Sequence, residues 1–481
     1  MTKAPIAILV PDGISVRNFV LGKFLNEMSL RFRPHVFHNI PEAILPHYQS
    51  GTPDGVEWHG LVPYEETRLA TVLKSTLEYA HMYHANTHAM RRAFARPIQG
   101  SARAQLFVRT SRLLGRAGAA LGGMQTLEGL HCRMVARSPE TLRYREILAS
   151  VQAEVLFSCS QRPGMVLPAV LAAQAMGIPA VAFVFSWDHL TTKGRIAAPF
   201  DQYLVWSEHM GKELTHYYPQ VSWDNIHIVG TPQFDPYADR SLLWTREEFC
   251  RRVGADPARK LICYSGGDIA TCPEDPQHLE ALIRHVRSGC IRGNPEVLLR
   301  PVPVDSGARY EDVCRRYPEI KHLRPQWIHA VPGDWRRVLP TKEDVQFLAN
   351  LTHHVDVNVN LGSTMTLDFG LHDRPVVNVA FDCADPPVFG MPVWDYYYNY
   401  EHLRPIVELG ASRIARTREQ LADQVNAYLE DPGLDRQGRR RLAGLQVGIP
   451  AGESSQCIVD TLERIRLREA KVPGPSHAVS C

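Results

Sequence analysis

Short runs of apolar residues alternate along most of this chain with longer segments that have the spacing of helices. The runs are three to seven residues long, and glycine, proline or aspartate bounds many of them, which is typical of buried strands. Strands that alternate with helices in this way build parallel sheets from βα units. The predicted strands are Ile6–Val10, His35–His38, Val155–Ser158, Ala180–Phe185, Gln202–Trp206, Ile226–Val229, Leu261–Tyr264, Val297–Arg300, Val355–Leu361, Val376–Val379 and Arg413–Ala415.

The pattern divides the chain into two halves of similar size. The break falls in Gly230–Ser241, where glycine and two prolines interrupt the strands and helices. We therefore predict an amino-terminal α/β domain over 1–235 and a carboxyl-terminal one over 236–450. A helix over 451–470 is expected to pack back on the first domain, and the tail 471–481 is expected to be disordered.

One region departs from this rhythm, because residues from about 65 to 148 show no strand pattern. We predict a helical insertion in the first domain. Its segment Arg91–Arg145 contains eleven arginines and very few acidic residues, together with several leucines. Such a segment can contact an anionic membrane or bind a phosphorylated acceptor, and the alternative is a solvated arginine face.

Composition narrows the class of protein. Of 481 residues, 44% are hydrophobic and 22% are charged, as in globular proteins whose domains bury full cores. A net charge of +2 argues against a nucleic-acid partner. The sequence has no apolar run long enough to span a membrane, no signal peptide and no cysteine–histidine zinc spacing. We therefore expect a cytoplasmic protein, with peripheral membrane contact through the arginine-rich region as an open possibility.

The segment Val355–Gly370 carries the strongest chemical signal. An alternating strand ends at Gly362, and Ser363 and Thr364 then begin a helix. A strand-to-helix turn of this kind presents backbone N–H groups and a positive dipole end to a phosphate. Asp368 lies four residues after Thr364, on the same helix face, where it can bind a ribose. The alternative is an ordinary capped crossover.

Two other strand ends in the second half are candidates for the same ligand. Ser265, Gly266 and Gly267 follow the first strand and leave a backbone that a phosphate can approach closely. Arg300 ends the next strand, where its charge can neutralise a diphosphate. Further along, Glu401 and His402 precede a short helix and are candidates to contact a sugar or its phosphates.

Three residues at strand ends of the first half are candidates for a general base. Asp188 and His189 follow the strand Ala180–Phe185, and Asp12 follows Ile6–Val10. A carboxylate or imidazole there can take a proton from an attacking hydroxyl, and we rank Asp188 first, His189 second and Asp12 third. The alternatives are an ordinary structured loop at Asp188 and a plain turn at Asp12.

Several segments resemble the nucleotide-sugar glycosyltransferases of the GT-B type, in particular bacterial surface-polysaccharide transferases. GT-B proteins have two Rossmann-like parallel-sheet domains that face a central cleft. The plant-type HCGWNS signature is absent. The similar segments are FSWDHLTTKG at Phe185, LVWSEHM at Leu204, IVGTPQFDPY at Ile228, LGSTMTLDFG at Leu361, and EHLRPIV…SRIARTREQLADQVNAYLEDP from Glu401.

The resemblance implies a sugar transfer from a nucleotide diphosphate-sugar, with UDP as the expected nucleotide, to a hydroxyl acceptor. Gly362, Ser363 and Thr364 would bind the diphosphate, and Asp368 would take the ribose position. The acceptor, a glycan, a lipid-linked sugar or a small molecule, would bind the first half. No cofactor or metal is expected, because the helix dipole and Arg300 would stabilise the leaving charge.

Three alternatives to sugar transfer remain open at this point. The same fold supports sugar-nucleotide 2-epimerases and polyol-phosphate transferases. The chain is also compatible with a non-catalytic subunit that only binds a nucleotide-sugar. Whether a transfer would invert or retain the anomeric configuration is left undecided.

Overall fold

A computed structural model of the chain describes residues 3–331 and 333–469. The chain forms two compact units, one from residues up to Pro232 together with those from Gly448 onward, and the other from Gln233 to Val447. The predicted disordered tail, 471–481, lies outside the described residues.

The first unit contains a seven-stranded, fully parallel sheet in the order β3-β2-β1-β4-β5-β6-β7. Every strand predicted in this half is present, and the edge strand β3 is an addition. Phe19 packs edge-on against Phe24, Phe157 and Phe183 at centroid distances of 4.9 to 5.5 Å in the core. The strands are β1 (Ala4–Val10), β2 (Phe32–His38), β3 (Glu57–Gly60), β4 (Val155–Ser158), β5 (Ala180–Phe183), β6 (Gln202–Val205) and β7 (Ile226–Ile228).

Helices connect these strands, and five of them form the predicted insertion. Side-chain caps begin most insertion helices, for example Thr67 before α4 and Ser101 before α6. Gly115 of α6 lets that helix approach α4 closely, since a Cβ there would lie 2.7 Å from the Tyr79 Cβ. The helices are α1 (Gly13–Phe19), α2 (Phe24–Arg31), α3 (Leu45–Gln49), α4 (Arg68–Ala85), α5 (His88–Ala95), α6 (Ala102–Ala120), α7 (Met124–Val135), α8 (Pro139–Ser150), α9 (Leu167–Ala175), α10 (His189–Thr192) and α11 (Glu208–Tyr217).

The second unit contains a six-stranded parallel sheet in the order β10-β9-β8-β13-β14-β15, and a two-stranded antiparallel ribbon, β11-β12. Sequence patterns did not predict the short strands β10, β11 and β12. The strands are β8 (Leu261–Ser265), β9 (Glu296–Arg300), β10 (Lys321–His322), β11 (Trp327–His329), β12 (Val338–Pro340), β13 (Val357–Asn360), β14 (Val376–Val379) and β15 (Arg413–Ala415).

Helices of the second unit bury apolar side chains on both faces of its sheet. The two sheets of the chain together confirm the predicted α/β class with two parallel-sheet units. The helices are α12 (Asp235–Ala238), α13 (Arg246–Val253), α14 (Asp275–Arg287), α15 (Glu311–Arg316), α16 (Lys342–His354), α17 (Met365–Leu371), α18 (Val393–Tyr397), α19 (Arg404–Glu408), α20 (Arg418–Glu430) and α21 (Arg436–Gln446).

The chain returns to the first unit in its last helix, α22 (Ser454–Glu469). Ile458, Val459 and Leu462 of this helix are fully buried. The Glu463 carboxylate lies 2.5 Å from the Arg31 guanidinium of α2. Residues 448–469 are therefore part of the first unit, although they follow the second in sequence.

Candidate functional site

Both sheets share a topology that marks one place for a ligand. In each, the chain builds outward from a first strand, β1 or β8, and then returns to the other side of that strand with β4 or β13. Ligands of open parallel sheets bind outside the carboxyl ends of the two strands that flank this switch point. The candidate sites are thus the carboxyl ends of β1 and β4 in the first unit, and of β8 and β13 in the second.

In the second unit, three of the predicted segments meet at the switch point. Ser265 at the end of β8 is the register partner of both Arg300 on β9 and Asn360 on β13. The glycine loop, Arg300 and the Gly362 turn therefore leave the sheet at one edge. This is the convergence expected from successive strand ends.

The Gly362 turn has the backbone shape that its sequence suggests. Gly362 has a φ of +52°, a left-handed conformation that favours glycine. The next N–H, from Ser363, donates a 2.9 Å hydrogen bond to the Asn360 side chain. A Cβ at Gly362 would lie 3.0 Å from Leu403 Cδ1. The turn is therefore stabilised by a hydrogen bond to Asn360 and by packing against Leu403.

A buried network of amides and hydroxyls supports this turn, and sequence reasoning missed it. Asn358 and Asn360 of β13 are fully buried, as is Asn378 on β14. Asn360 accepts from Asn378 at 2.9 Å and donates to Asn358 at 2.7 Å. Asn358 then donates to Ser265 Oγ at 2.7 Å. The network runs across the ends of β8, β13 and β14 and fixes the positions of these three strand ends.

The glycine loop after β8 is engaged by the protein itself. The Gly266 N–H donates to the Arg300 carbonyl at 2.9 Å, and the Gly267 N–H donates to Asp275 Oδ2 at 2.7 Å. A Cβ at Gly266 would lie 2.2 Å from the Tyr310 hydroxyl. In this conformation the two glycines allow close packing and their N–H groups already have acceptors, so neither offers an N–H to a phosphate.

The guanidinium of Arg300 is paired with an acidic side chain inside the second unit. This guanidinium lies 2.8 Å from Asp344, and both side chains are buried. The ring of Phe347 lies 5.4 Å from the same guanidinium. The prediction of a cation facing a diphosphate overlooked Asp344, which neutralises Arg300 inside the unit.

Asp368 is likewise engaged below the surface. Its side chain is 2% exposed and accepts a hydrogen bond from the Tyr237 hydroxyl. Its backbone N–H bonds to the Thr364 carbonyl at 3.1 Å, so the predicted one-turn spacing is present. Gly362, Ser363 and Thr364 remain half-buried, whereas Asp368 does not reach the surface beside them.

The predicted pair Glu401 and His402 lies in the segment just before α19. His402 is 7% exposed, and its ring centroid is 5.8 Å from that of Tyr400. The following residue is Leu403, whose side chain packs against Gly362. The structure therefore places this pair next to the turn rather than at a separate location.

An open cavity of about 490 Å³ lies at the carboxyl ends of β14 and β15 in the same unit. Phe381 and Asp382 line it from the β14 end, and Arg416 from the β15 end. The Arg416 guanidinium lies 3.6 Å from the ring centroid of Trp394. The volume of this cavity falls within the range of small-molecule sites. Sequence patterns had not pointed to Asp382 or Arg416.

The switch point of the first unit carries charged groups. Asp12 follows β1 and caps α1, accepting the Ser15 N–H at 2.8 Å. Its other oxygen, Oδ2, is buried without a hydrogen-bond partner among the described residues. Burial raises the pKa of the Asp12 carboxyl, while the Ser15 hydrogen bonds and the charge of Arg162 act in the opposite direction.

Arg162, which follows β4, is a residue that sequence analysis overlooked. Its charge interacts with Asp188, Asp12 and Glu78, while burial lowers its pKa. A cavity of about 40 Å³, with Arg162, Glu78 and Lys74 among its lining residues, lies beside it. The signal in the sequence was its position: the Gln161-Arg162-Pro163-Gly164 segment follows a buried strand at the switch point.

Asp188 and His189 occupy the same region but differ in environment. Asp188 is half-buried and accepts hydrogen bonds from Ser186 at 2.5 Å and Thr192 at 2.8 Å. His189 is 5% exposed, and its Nδ1 lies 3.1 Å from the Gln161 amide. Burial lowers the pKa of His189 to about 3. Its imidazole is therefore neutral and weakly basic, which argues against His189 as the general base.

The predicted arginine-rich insertion has an exposed apolar face on α6. Leu106 is 67% exposed and Leu113 is 69% exposed, and Leu121 at the helix end is 84% exposed. The stretch 79–127, which includes α6, contains seven arginines and no acidic residue. Among the described residues, no helix is both long and apolar enough to cross a membrane.

No protein-family model matches the chain, and no curated protein matches its sequence. Solved structures do match over nearly all of both chains. A glycosyltransferase from Rickettsia africae is 10% identical, with a TM-score of 0.51 over 98% of this chain and 100% of that one. The UDP-GlcNAc 2-epimerase of Methanocaldococcus jannaschii is 10% identical, with a TM-score of 0.52 over 96% and 100%.

The UDP-GlcNAc 2-epimerase of Neisseria meningitidis, solved bound to UDP-GlcNAc, gives a similar match. It is 9% identical, with a TM-score of 0.52 over 96% of this chain and 100% of that chain. At such low identity the likeness concerns the fold. The chain therefore has the GT-B fold, as its sequence resemblance predicted.

Proposed function

We propose that this protein is a nucleotide-sugar enzyme that transfers a sugar from a nucleotide diphosphate donor to a hydroxyl acceptor. The observation that carries the proposal is the contrast between the two switch points. The second unit offers an uncharged, half-buried turn at Gly362, supported by buried asparagines. The first offers two carboxylates, Asp12 and Asp188, near one guanidinium. A donor site and a proton-accepting site need these different chemistries.

The donor belongs to the second unit in this proposal. The diphosphate contacts the half-buried turn Gly362–Thr364. Arg416 takes the role first given to Arg300, because it is exposed at the cavity and Arg300 is paired with Asp344. Such a site needs no bound metal when side-chain and backbone groups stabilise the leaving diphosphate.

The acceptor and the base belong to the first unit. The acceptor oxygen forms the glycosidic bond as the bond from the anomeric carbon to the diphosphate breaks, and the base takes the hydroxyl proton. Asp12 is the preferred base, because its raised pKa brings it closer to that of an effective base at neutral pH. Asp188 is second, since both of its carboxylate oxygens already accept hydrogen bonds from hydroxyl groups.

A second candidate function is 2-epimerisation of the nucleotide-sugar itself. It is favoured by the solved structures, which include several UDP-GlcNAc 2-epimerases. The two reactions differ in whether an acceptor is needed. Incubation with UDP-GlcNAc alone, followed by proton NMR of the sugar, separates them: an epimerase changes the configuration at C2, and a transferase leaves it unchanged.

The donor is identified by thermal shift against UDP-, GDP-, CDP- and TDP-sugars. A ligand at 100 times its Kd stabilises the folded state by about 2.7 kcal/mol, enough to detect. The proposal expects one nucleotide series, with UDP first, to raise the melting temperature. Gly362→Ala should reduce that shift. If no nucleotide-sugar shifts the melting temperature of the wild type, the nucleotide-sugar proposal fails.

Turnover tests the enzymatic part. Asp12→Asn should lower transfer by about 10²- to 10⁴-fold while leaving donor binding intact. Donor binding without turnover in the wild type, across glycan, lipid-linked and small-molecule acceptors, would instead support a binding subunit. Polyol-phosphate transfer would be recognised by release of a nucleoside monophosphate rather than a diphosphate.

We also propose that the α6 face brings the protein to an anionic membrane surface. Exposed leucines beside arginines suit insertion between acidic headgroups, and this would place the enzyme near a lipid-linked acceptor.

A further inference from the structure

The edge of the first sheet carries three side chains that can bind one metal ion. Strands β2 and β3 pair in parallel with His35 opposite Glu57 and Phe37 opposite His59. Residues two apart on a strand point to the same face, so Glu57 and His59 share a face. His35 stands opposite them on β2. The pairing brings together residues that are 22 and 24 positions apart in sequence.

The distances among these groups match those of metal ligands. His35 Nδ1 lies 3.3 Å from His59 Nε2 and 3.4 Å from Glu57 Oε2. The three candidate ligand atoms all lie within 4.8 Å of one another. Zinc bonds to imidazole and carboxylate at about 2.0–2.2 Å, so neighbouring ligand atoms in a tetrahedron lie about 3.3–3.5 Å apart. Two of the three separations already have this value.

The surroundings restrict the positions of the ligands. His35 is 2% exposed, so its ring is enclosed by the protein. The His59 ring stacks on Phe37 at 4.9 Å, which limits its rotation. Glu57 is half exposed and supplies a negative charge from the solvent side.

We propose that His35, Glu57 and His59 bind a divalent transition-metal ion of the zinc type. Two nitrogens and one carboxylate oxygen favour Zn²⁺ over Mg²⁺ or Ca²⁺, which prefer oxygen ligands. Three protein ligands leave one position for water at the exposed Glu57 side. The ion joins the edge strand β3 to β2 and so fixes the register of this strand pair. This site is separate from the nucleotide-sugar proposal, which it does not require.

Metal titration of the full-length protein tests the proposal. After removal of metals with EDTA, Zn²⁺ is titrated against a competing chromophoric chelator, and Co²⁺ absorption reports the geometry. The wild type should bind one equivalent that His59→Gln loses, with an affinity at least about 100-fold lower in the variant, since even outer-shell changes cost 10- to 100-fold. Glu57→Gln should weaken it as well. His216→Gln, which removes an exposed histidine elsewhere, should bind as the wild type does.

Thermal melting separates loss of metal from loss of fold. In EDTA, Glu57→Gln should melt as the wild type does, because the Glu57 side chain is half exposed. Zn²⁺ should raise the melting temperature of the wild type and of His216→Gln, but not of His59→Gln or Glu57→Gln. Equal zinc affinity and equal stabilisation in all four proteins would overturn the proposal.

Discussion

The Arg300 guanidinium lies 2.8 Å from each of the two carboxylate oxygens of Asp344, at the end of β9. The same carboxylate accepts the Gln326 N–H and the Trp327 indole N–H, each at 2.7 Å. These hydrogen bonds connect β9, the start of β11 and α16. Arg300, which sequence patterns suggest as a ligand-binding residue, thus forms a structural ion pair inside the second unit.

Removing the Arg300–Asp344 ion pair should destabilise the protein strongly. Removing one partner of a buried ion pair costs about 3–5 kcal/mol, because the other charge stays buried and unpaired. We expect Arg300→Met to lower the urea midpoint and melting temperature of the second unit. The comparison is Arg315→Met, which breaks the exposed Arg315–Asp312 pair and should cost at most about 1 kcal/mol. Equal losses in the two variants would contradict a structural role for Arg300.

Replacing Asp12 by asparagine should lower activity without lowering stability. Asparagine caps helices as well as aspartate does, so Asp12→Asn keeps the bond to the Ser15 N–H. It also removes a buried charge whose second oxygen has no partner among the described residues. We expect turnover to fall while the melting temperature at pH 7 stays equal or rises. Asp12→Asn with normal turnover would leave Asp188 as the base.

The pH dependence of stability follows from the direction of the Asp12 pKa shift. Burial raises the pKa of Asp12 in the folded state above its unfolded value. Its contribution is therefore fully present below the unfolded pKa of about 3.9 and is lost as pH rises through the folded pKa. Asparagine does not ionise, so the melting-temperature difference between Asp12→Asn and the wild type should grow from pH 4 to pH 8. A constant difference over this range would exclude a raised pKa.

Sequence patterns predicted the long-range organisation well because it depends on local signals. Apart from the edge strands β3 and β10, the strands of the two parallel sheets coincide with the predicted runs, and α4 to α8 fill the region that lacks such runs. The strand-end position of Gly362 could also be predicted, since glycine and the residues that follow it define the turn locally.

The partners of the site residues could not be predicted, because they are distant in sequence. Asp344 reaches Arg300 across 44 residues, and Tyr237 reaches Asp368 across 131. The alternation in β13 predicts a buried strand, but it does not show which groups bond to Asn358 and Asn360. Those groups lie on β8, β14 and α17, which are distant in sequence or follow the turn.

The Asn360 side chain is the support of the Gly362 turn, and its removal should affect both stability and donor binding. Asn360→Ala leaves the Ser363 N–H without its acceptor, at a cost of about 1–3 kcal/mol. It also removes one acceptor of the Asn378 amide, which keeps its bond to Thr366. We expect a lower melting temperature and a smaller shift with nucleotide-sugar. Asn399→Ala, which removes an exposed amide, serves as the control and should change neither.

Gly362 and Gly370 form a matched pair of glycines for testing the turn itself. Alanine at Gly362 must adopt a left-handed φ, at a cost of about 1–2 kcal/mol, and must displace Leu403. Alanine at Gly370 lies within α17 with no atom within 4 Å of its Cβ, and should stabilise by about 0.5–1 kcal/mol. The melting temperature, measured with and without donor, should therefore fall for Gly362→Ala and rise for Gly370→Ala. A neutral Gly362→Ala would mean that the turn relaxes without loss.

The α6 face leads to the last prediction, which concerns membranes. Leu106 and Leu113 are seven residues apart and therefore lie on the same face of α6, and both are largely exposed. Replacing both by glutamine should weaken binding to anionic phospholipid vesicles at least about 10-fold, because burying one leucine contributes about 1.5–3 kcal/mol. Binding should also fall with added salt, since arginines of the same region contact the headgroups. The control is Leu30→Gln, which changes an equally exposed leucine on α2. Co-sedimentation with anionic and zwitterionic vesicles measures both effects, and equal binding of the double variant and the control would show that this face does not meet the membrane.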